Sequence, residues 1–125
     1  MRVSIIIAAH NEREYLEKTI VSCVAGCAQL DQEIIVADDA SNDLDEKDLI
    51  QQFPGIRVSS SRDRQGPSPT KHRGATIASG EILLFLDAHC AAEPDALVRL
   101  VEAVERGPED AIVIPTVAAL DTETW

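Results

Sequence analysis

The chain has 125 residues, of which 45% are hydrophobic and 3% aromatic, and its 22 acidic against 11 basic side chains give a formal charge of -11. That much apolar material suits one domain with an aliphatic, alanine-rich core and does not suit a disordered chain. The acidity argues against a nucleic-acid backbone or an anionic membrane surface as the main partner, because both need clustered Lys and Arg.

Residues 3–8 form a short, uninterrupted β-branched run, which predicts a buried strand. Met1 and Arg2 lead straight into it, so no signal peptide is expected. Asn11 is a candidate cap for the following helix, with Glu12 and Glu14 favouring its first turn. Leu16, Ile20, Cys23, Val24 and Cys27 then recur at helical spacing. Cys23 and Cys27 lie four apart on that helix and read as small buried apolar groups, not as a redox or metal pair. Three cysteines do not make a disulfide framework, so a reducing compartment is expected.

Residues 33–37 predict a second buried strand, followed by a polar turn containing Asp38 and Asp39. Residues 44–53 predict a shorter helix, stopped by Pro54 and Gly55. Residues 56–59 predict a third strand. Gly66, Pro67 and Pro69 mark 60–69 as a loop. A helix is expected over 70–79, closed by Gly80. Residues 81–86 predict a fourth strand. Pro94 suits the first position of a helix that runs to about residue 105. Residues 111–114 predict a fifth strand. No apolar run approaches the ~18 residues of a transmembrane helix. Strands and helices alternate throughout, which predicts a single α/β domain over 1–125, its mostly parallel sheet covered by helices on both faces.

In open parallel sheets, ligands bind outside the carboxyl ends of the strands. Three of these ends carry polar groups: His10, Asn11 and Glu12 after the first, Asp38 and Asp39 after the second, Asp87 and His89 after the fourth. Together they would be able to hold a cation. Arg62, Arg64, Lys71, His72 and Arg73 supply basic groups nearby. Taken singly, Asn11 and Asp39 also read as caps, Asp87 and His89 as a solvated turn, and the arginines as surface charge. No Gly-x-Gly-x-x-Gly follows the first strand and no P-loop is present, so neither a dinucleotide nor a P-loop nucleotide fold is expected. A phospho-receiver domain is also disfavoured, because the acidic pair follows the second strand, not the first.

Three segments carry a resemblance. Ser4-Ile-Ile-Ile-Ala-Ala-His-Asn-Glu12, Glu33-Ile-Ile-Val-Ala-Asp-Asp-Ala-Ser41 and Gly74-Ala-Thr-Ile-Ala-Ser-Gly-Glu-Ile-Leu-Leu-Phe-Leu-Asp-Ala-His89 are similar to the family-2 glycosyltransferases. The resemblance runs from about residue 3 to 116. His-Asn-Glu combined with Leu-Asp-Ala-His-Cys most resembles the polypeptide N-acetylgalactosaminyltransferase branch. Most family members carry Asp-x-Asp where this chain has Asp87-Ala88-His89.

The resemblance implies the Rossmann-like GT-A fold, a nucleotide-sugar donor of the UDP type, and transfer of a hexosyl or N-acetylhexosaminyl group. It implies nucleotide contacts at Ala8, His10 and neighbouring Glu12, at Asp39, at Arg64, and at Lys71, which takes the place of a family Arg. It implies Asp87 and His89 as ligands of a divalent cation, Mn²⁺ with Mg²⁺ as the alternative, bridging the pyrophosphate. Carboxylate plus imidazole suits Mn²⁺ better than Mg²⁺, which prefers oxygen. The family pattern places the acceptor-binding half and the catalytic base beyond residue 125, so the chain reads as a truncated GT-A domain. The acceptor is open among protein, glycan and lipid, and the localisation expected is cytoplasmic, with any membrane association lying in regions outside this chain. A non-catalytic nucleotide-binding or interaction domain derived from the same fold is the alternative.

Overall fold

The computed structural model describes residues 1–125. Four strands alternate with four helices: β1 (Val3–Ala9), α1 (Arg13–Gly26), β2 (Gln32–Asp39), α2 (Glu46–Gln52), β3 (Arg57–Ser61), α3 (Pro67–Thr76), β4 (Ile82–Asp87) and α4 (Ala96–Arg106). The sheet order is β3-β2-β1-β4, and every pair is parallel. Parallel strands need a crossover, and here each crossover is a helix. No helix is long and apolar enough to cross a membrane.

The two faces of the sheet differ. On one face Val3, Ile5 and Ile7 of β1 and Ile34 and Val36 of β2 join Leu16, Ile20 and Cys23 of α1, Leu49 of α2, and Leu97 and Val101 of α4 in the main core. On the other face α3 covers β1 and β2 alone. A Cβ placed on Gly74 would stand 2.6 Å from Ile6 Cγ2 and 3.3 Å from Ala37 Cβ, so α3 approaches the strands closely because Gly74 has no side chain. Beyond α3 this second face is bare: Leu83 and Phe85 of β4 are 42% and 45% exposed. The expectation of helices on both faces therefore holds over the middle strands and fails over β4.

The expected fifth strand does not form. Residues 111–114 join no ladder, and Ile112 and Ile114 are 89% and 84% exposed. A strand is stable only where a neighbour accepts its backbone groups, and this segment lies on neither free sheet edge. The last residues return to α1 instead. The Trp125 ring stacks on Tyr15 with centroids 6.0 Å apart, and the Lys18 ammonium lies 5.6 Å from its centroid.

Four helix ends depart from expectation for local reasons. Asn11 does not cap α1: its backbone is left-handed at φ 52°, and its side-chain oxygen accepts from the Asn42 amide at 2.8 Å. The Arg13 amide at the start of α1 donates instead to the Asp43 carboxylate at 3.1 Å. Helix α3 begins at Pro67, three residues earlier than expected, because first-turn prolines give up no helical hydrogen bond. It ends at Thr76, short of residue 79. The amides of Ser79 and Gly80 are drawn instead to the Glu33 carboxylate at 2.6 Å and the Ser4 hydroxyl at 2.8 Å. Helix α4 starts after a left-handed Asp95 and not at Pro94. Cys23 and Cys27 are buried free thiols, and burial pushes them up to about 12 and about 11, as inert apolar groups should behave.

Glu33 is the main polar tie at the amino ends of the strands. The Ser4 hydroxyl donates to its Oε1 at 2.6 Å, as do the Ser79 amide at 2.6 Å and the Ser79 hydroxyl at 2.8 Å, while Arg57 reaches Oε2 at 3.1 Å. Burial alone would raise this carboxyl, but those donors outweigh it and hold it down to about 2.

Two predictions follow from the packing. Gly74→Ala should destabilise the fold by about 1–3 kcal/mol through overpacking against Ile6, read as a lower urea midpoint; an unchanged midpoint refutes the close approach. At Glu33, the unfolded chain takes up a proton near pH 4.5 that the folded chain resists until about 2, so stability should fall across that window. Glu33→Gln should lower stability at neutral pH and flatten its dependence on pH below about 4.5, measured by thermal unfolding across a pH series.

Candidate functional site

The register decides what meets at the carboxyl end of the sheet. Ala8 of β1 lies opposite Ala37 of β2 and Asp87 of β4, and Ala9 lies opposite Asp38. The segments leaving β1, β2 and β4 therefore emerge side by side. This brings His10, Glu12, Asp39, Asp87 and His89 into one region, and α3 adds Lys71 and the loop before it adds Arg64. Ala8 is a small, partly exposed floor residue between two strands.

The turn after β4 alternates outward and inward. Ala88 is 1% exposed and packs into the core. The side chains on either side, Asp87 and His89, are 51% and 53% exposed. Thr19 of α1 fixes this turn: its hydroxyl donates to the Ala88 carbonyl at 2.8 Å and accepts from the Cys90 amide at 3.1 Å. Ser22, one turn on, accepts from the Ala92 amide at 3.2 Å. Neither residue stood out in the sequence. The available signal was a buried Thr19 set among the apolar Leu16, Ile20 and Cys23 of α1.

Each candidate metal ligand has a partner in the chain. His89 Nδ1 lies 2.8 Å from Glu12 Oε2. A ring N–H donated to that carboxylate leaves Nε2 as the free electron-pair donor, which is how metal-binding imidazoles are commonly oriented. Glu12 is thus placed to orient His89, whereas the resemblance implied a nucleotide contact. Asp87 Oδ1 accepts from the Lys71 ammonium at 2.8 Å. No three His, Cys, Asp or Glu side chains converge into a preformed cage, so the carboxylate-rich cluster expected from the three strand ends does not assemble as such. One accessible carboxylate and one oriented imidazole fit a cation that takes its remaining ligands from a bound diphosphate and water.

Asp39 is occupied differently from the implied nucleotide contact. It is 4% exposed, and its two oxygens accept from the Gln65 and Gly66 amides at 2.7 and 2.9 Å. Arg64 Nε lies 3.9 Å away, with its side chain 61% exposed. Burial would raise the Asp39 carboxyl, but the two amides and the Arg64 charge outweigh it and lower it below its ordinary value. In this conformation Asp39 organises the loop that leads into α3 and presents Arg64.

His10 Nδ1 donates to the Asp39 carbonyl at 2.6 Å, and the Asn11 side-chain amide reaches His10 Nε2 at 3.2 Å. A carbonyl can only accept, so the proton sits on Nδ1. Arg73 is turned inward: its guanidinium donates to the Asp38 and Ser59 carbonyls at 2.6 and 3.2 Å and to Gln65 Oε1 at 2.6 Å. It ties α3 to β2 and β3 and is not free for a ligand. Of the basic groups read from the sequence, Lys71 and Arg64 have side chains at the strand-end region. Beside Lys71 an open groove of about 440 Å³ runs along Pro67, Ser68, His72 and Phe85.

Removing the Asp39 carboxylate should free the loop. Asp39→Ala is expected to speed hydrogen exchange at the Gln65 and Gly66 amides by at least about tenfold and to cost about 1–3 kcal/mol in stability. Unchanged exchange at those two amides would mean that the loop is held by other contacts.

Comparison with known proteins shows the family and the fold. A family model described as glycosyl transferase family 2 matches residues 4–125. The human polypeptide N-acetylgalactosaminyltransferase 14 is 37% identical over 126 residues, covering 98% of this chain and 22% of that protein. The dolichol-phosphate mannosyltransferase of Pyrococcus furiosus is 32% identical over 128 residues, covering 100% of this chain and 36% of that protein. The chain thus spans between about a fifth and a third of the length of these relatives. Among solved structures, S. aureus TarS 1-349 in complex with UDP-GlcNAc superposes with a TM-score of 0.71 at 20% identity, over 84% of this chain and 31% of that one. That likeness establishes the GT-A glycosyltransferase fold. With nearly its whole length matched by the family model, the chain belongs to glycosyl transferase family 2.

Proposed function

We propose that this chain is the donor-binding part of a glycosyltransferase, taking a UDP-sugar together with a divalent cation. The observation that carries the reading is the parallel register that sets Asp87 and His89 beside the ends of β1 and β2, with Glu12 oriented on His89. The UDP-GlcNAc bound to TarS and the sugar-transfer names of the relatives support it.

Breaking a sugar–phosphate bond leaves a nucleoside diphosphate carrying additional negative charge. Asp87 and His89 would hold Mn²⁺, or Mg²⁺, which as a Lewis acid stabilises that leaving group. The net charge of -11 is no obstacle, because local potential at such a site is set by the bound ion. Glu12 keeps the His89 ring in one orientation. Ala8 and His10 border the space for the nucleoside. Asp39 acts through the loop it orders, which carries the guanidinium of Arg64 toward the donor. The general base and the acceptor contacts belong, on this reading, to residues outside these 125, and the acceptor is a polypeptide, glycan or lipid. Three free cysteines favour a reducing compartment such as the cytoplasm.

Calorimetric titration with UDP and Mn²⁺ tests the assignment. The chain should bind UDP in the presence of Mn²⁺, and Asp87→Ala and His89→Ala should each weaken binding about tenfold or more, corresponding to about 1.4 kcal/mol. Equal affinity in both variants removes Asp87 and His89 from the site; no binding by the parent chain removes the donor reading itself.

A further inference from the structure

Lys71 sits where a cation is wanted. It lies midway along α3, and α3 packs on the sheet face toward which Asp87 projects, in line with Phe85 and Leu83. Its ammonium is 2.8 Å from Asp87 Oδ1, and the side chain is 30% exposed. It has no other carboxylate partner in the chain. The pair is not one of the helical i,i+4 contacts that any surface supplies, since sixteen residues separate the partners and α3 and β4 are separate elements.

We propose that Lys71 is a tethered cation that competes with the divalent ion for Asp87 and, where no divalent ion is present, itself neutralises the donor diphosphate. The diphosphate part rests on the donor-site reading above; the competition rests on the ion pair alone. The physical argument is one of charge and screening. A half-exposed ammonium–carboxylate pair is weak, so a doubly charged ion can displace it. Displacement nevertheless costs the ion part of its affinity, so metal binding in the absence of nucleotide is weakened. Where no divalent ion is present, the same weak pair lets a diphosphate draw the ammonium away from Asp87, and its flexible four-carbon stem lets it meet phosphate oxygens as a point charge. His89 is untouched by Lys71, because its ring is held from the other side by Glu12. Lys71 thereby becomes a determinant of how strongly donor binding depends on metal.

The test uses the chain with Mn²⁺ alone and then with UDP alone. Loss of the free-ion Mn²⁺ paramagnetic resonance signal reports metal binding without nucleotide. Lys71→Met should tighten Mn²⁺ binding by about two- to fivefold, and the gain should vanish in Lys71→Met combined with Asp87→Ala. Lys71→Arg, which keeps the charge, should stay close to the parent. With UDP and a chelator, Lys71→Met should weaken binding by a similar factor. Mn²⁺ affinity that is unchanged or reduced in Lys71→Met, or no Mn²⁺ binding by either protein, overturns the competition. UDP affinity that is independent of Lys71 in the chelator overturns the second role. Because the first arm contains no nucleotide, failure of UDP to bind the parent chain would strike the donor reading and leave the Mn²⁺ result to decide the competition. Circular dichroism and melting of each variant confirm that the half-exposed position has been changed without unfolding the chain.

Discussion

The parallel pairing of β1 between β2 and β4 is the constraint on which the rest of this molecule depends. Val3 to Ala9 is buried almost throughout, and it hydrogen-bonds on both sides. A strand in that position has no freedom of register, because a slip of one residue would turn Ile5 and Ile7 out of the main core and Ile6 into it. Fixing the register fixes the ends. Ala8 must then lie beside Asp87, and Ala9 beside Asp38, whatever the loops do. The strand-end chemistry is thus a consequence of aliphatic packing several residues away.

The loops are fixed by a different kind of force. At the carboxyl ends the backbone leaves the sheet and its amides need partners. Asp39 meets the amides of Gln65 and Gly66, Asp43 meets Arg13, Thr19 meets Cys90, and Asn11 meets Asn42. Several of these acidic and polar residues look like ligand contacts when read along the chain. In the folded molecule they hold neighbouring segments in place, and the candidate site residues whose side chains are left mostly facing solvent there are Asp87, His89 and Arg64, with part of Lys71. At the opposite end of the strands, Glu33 serves the same purpose for Ser4, Ser79 and Arg57, and the Ser4 hydroxyl does so for the Gly80 amide. The acidic composition is in part structural.

The two sheet faces show how packing and exposure divide the molecule. Helices α1, α2 and α4 share one continuous core, whereas α3 stands alone on the other face, brought close by Gly74. That solitary helix carries Lys71 and is preceded by Arg64. Leu83 and Phe85 remain uncovered beside it, and the 111–114 segment, apolar enough to have suggested a strand, does not lie on that free edge.

The sequence by itself determined the strand–helix alternation, the parallel sheet, the buried cysteines and the position of Asp87 and His89 at a strand end. Each of these rests on local patterns of two or a few residues: β-branched runs, helical spacing, an apolar stretch cut off by a carboxylate. Only the tertiary structure decided which partner each polar group takes. Asp39 turned to the Gln65–Gly66 amides, Glu12 to His89, Lys71 to Asp87 and Arg73 inward to the Asp38 and Ser59 carbonyls. It also decided that 111–114 is no strand and that α3 stops at Thr76, because both depend on a neighbour in space. Periodicity is written into the chain one residue after another, while a hydrogen bond or ion pair spanning 16 to 77 residues exists only once the strands have fixed their register.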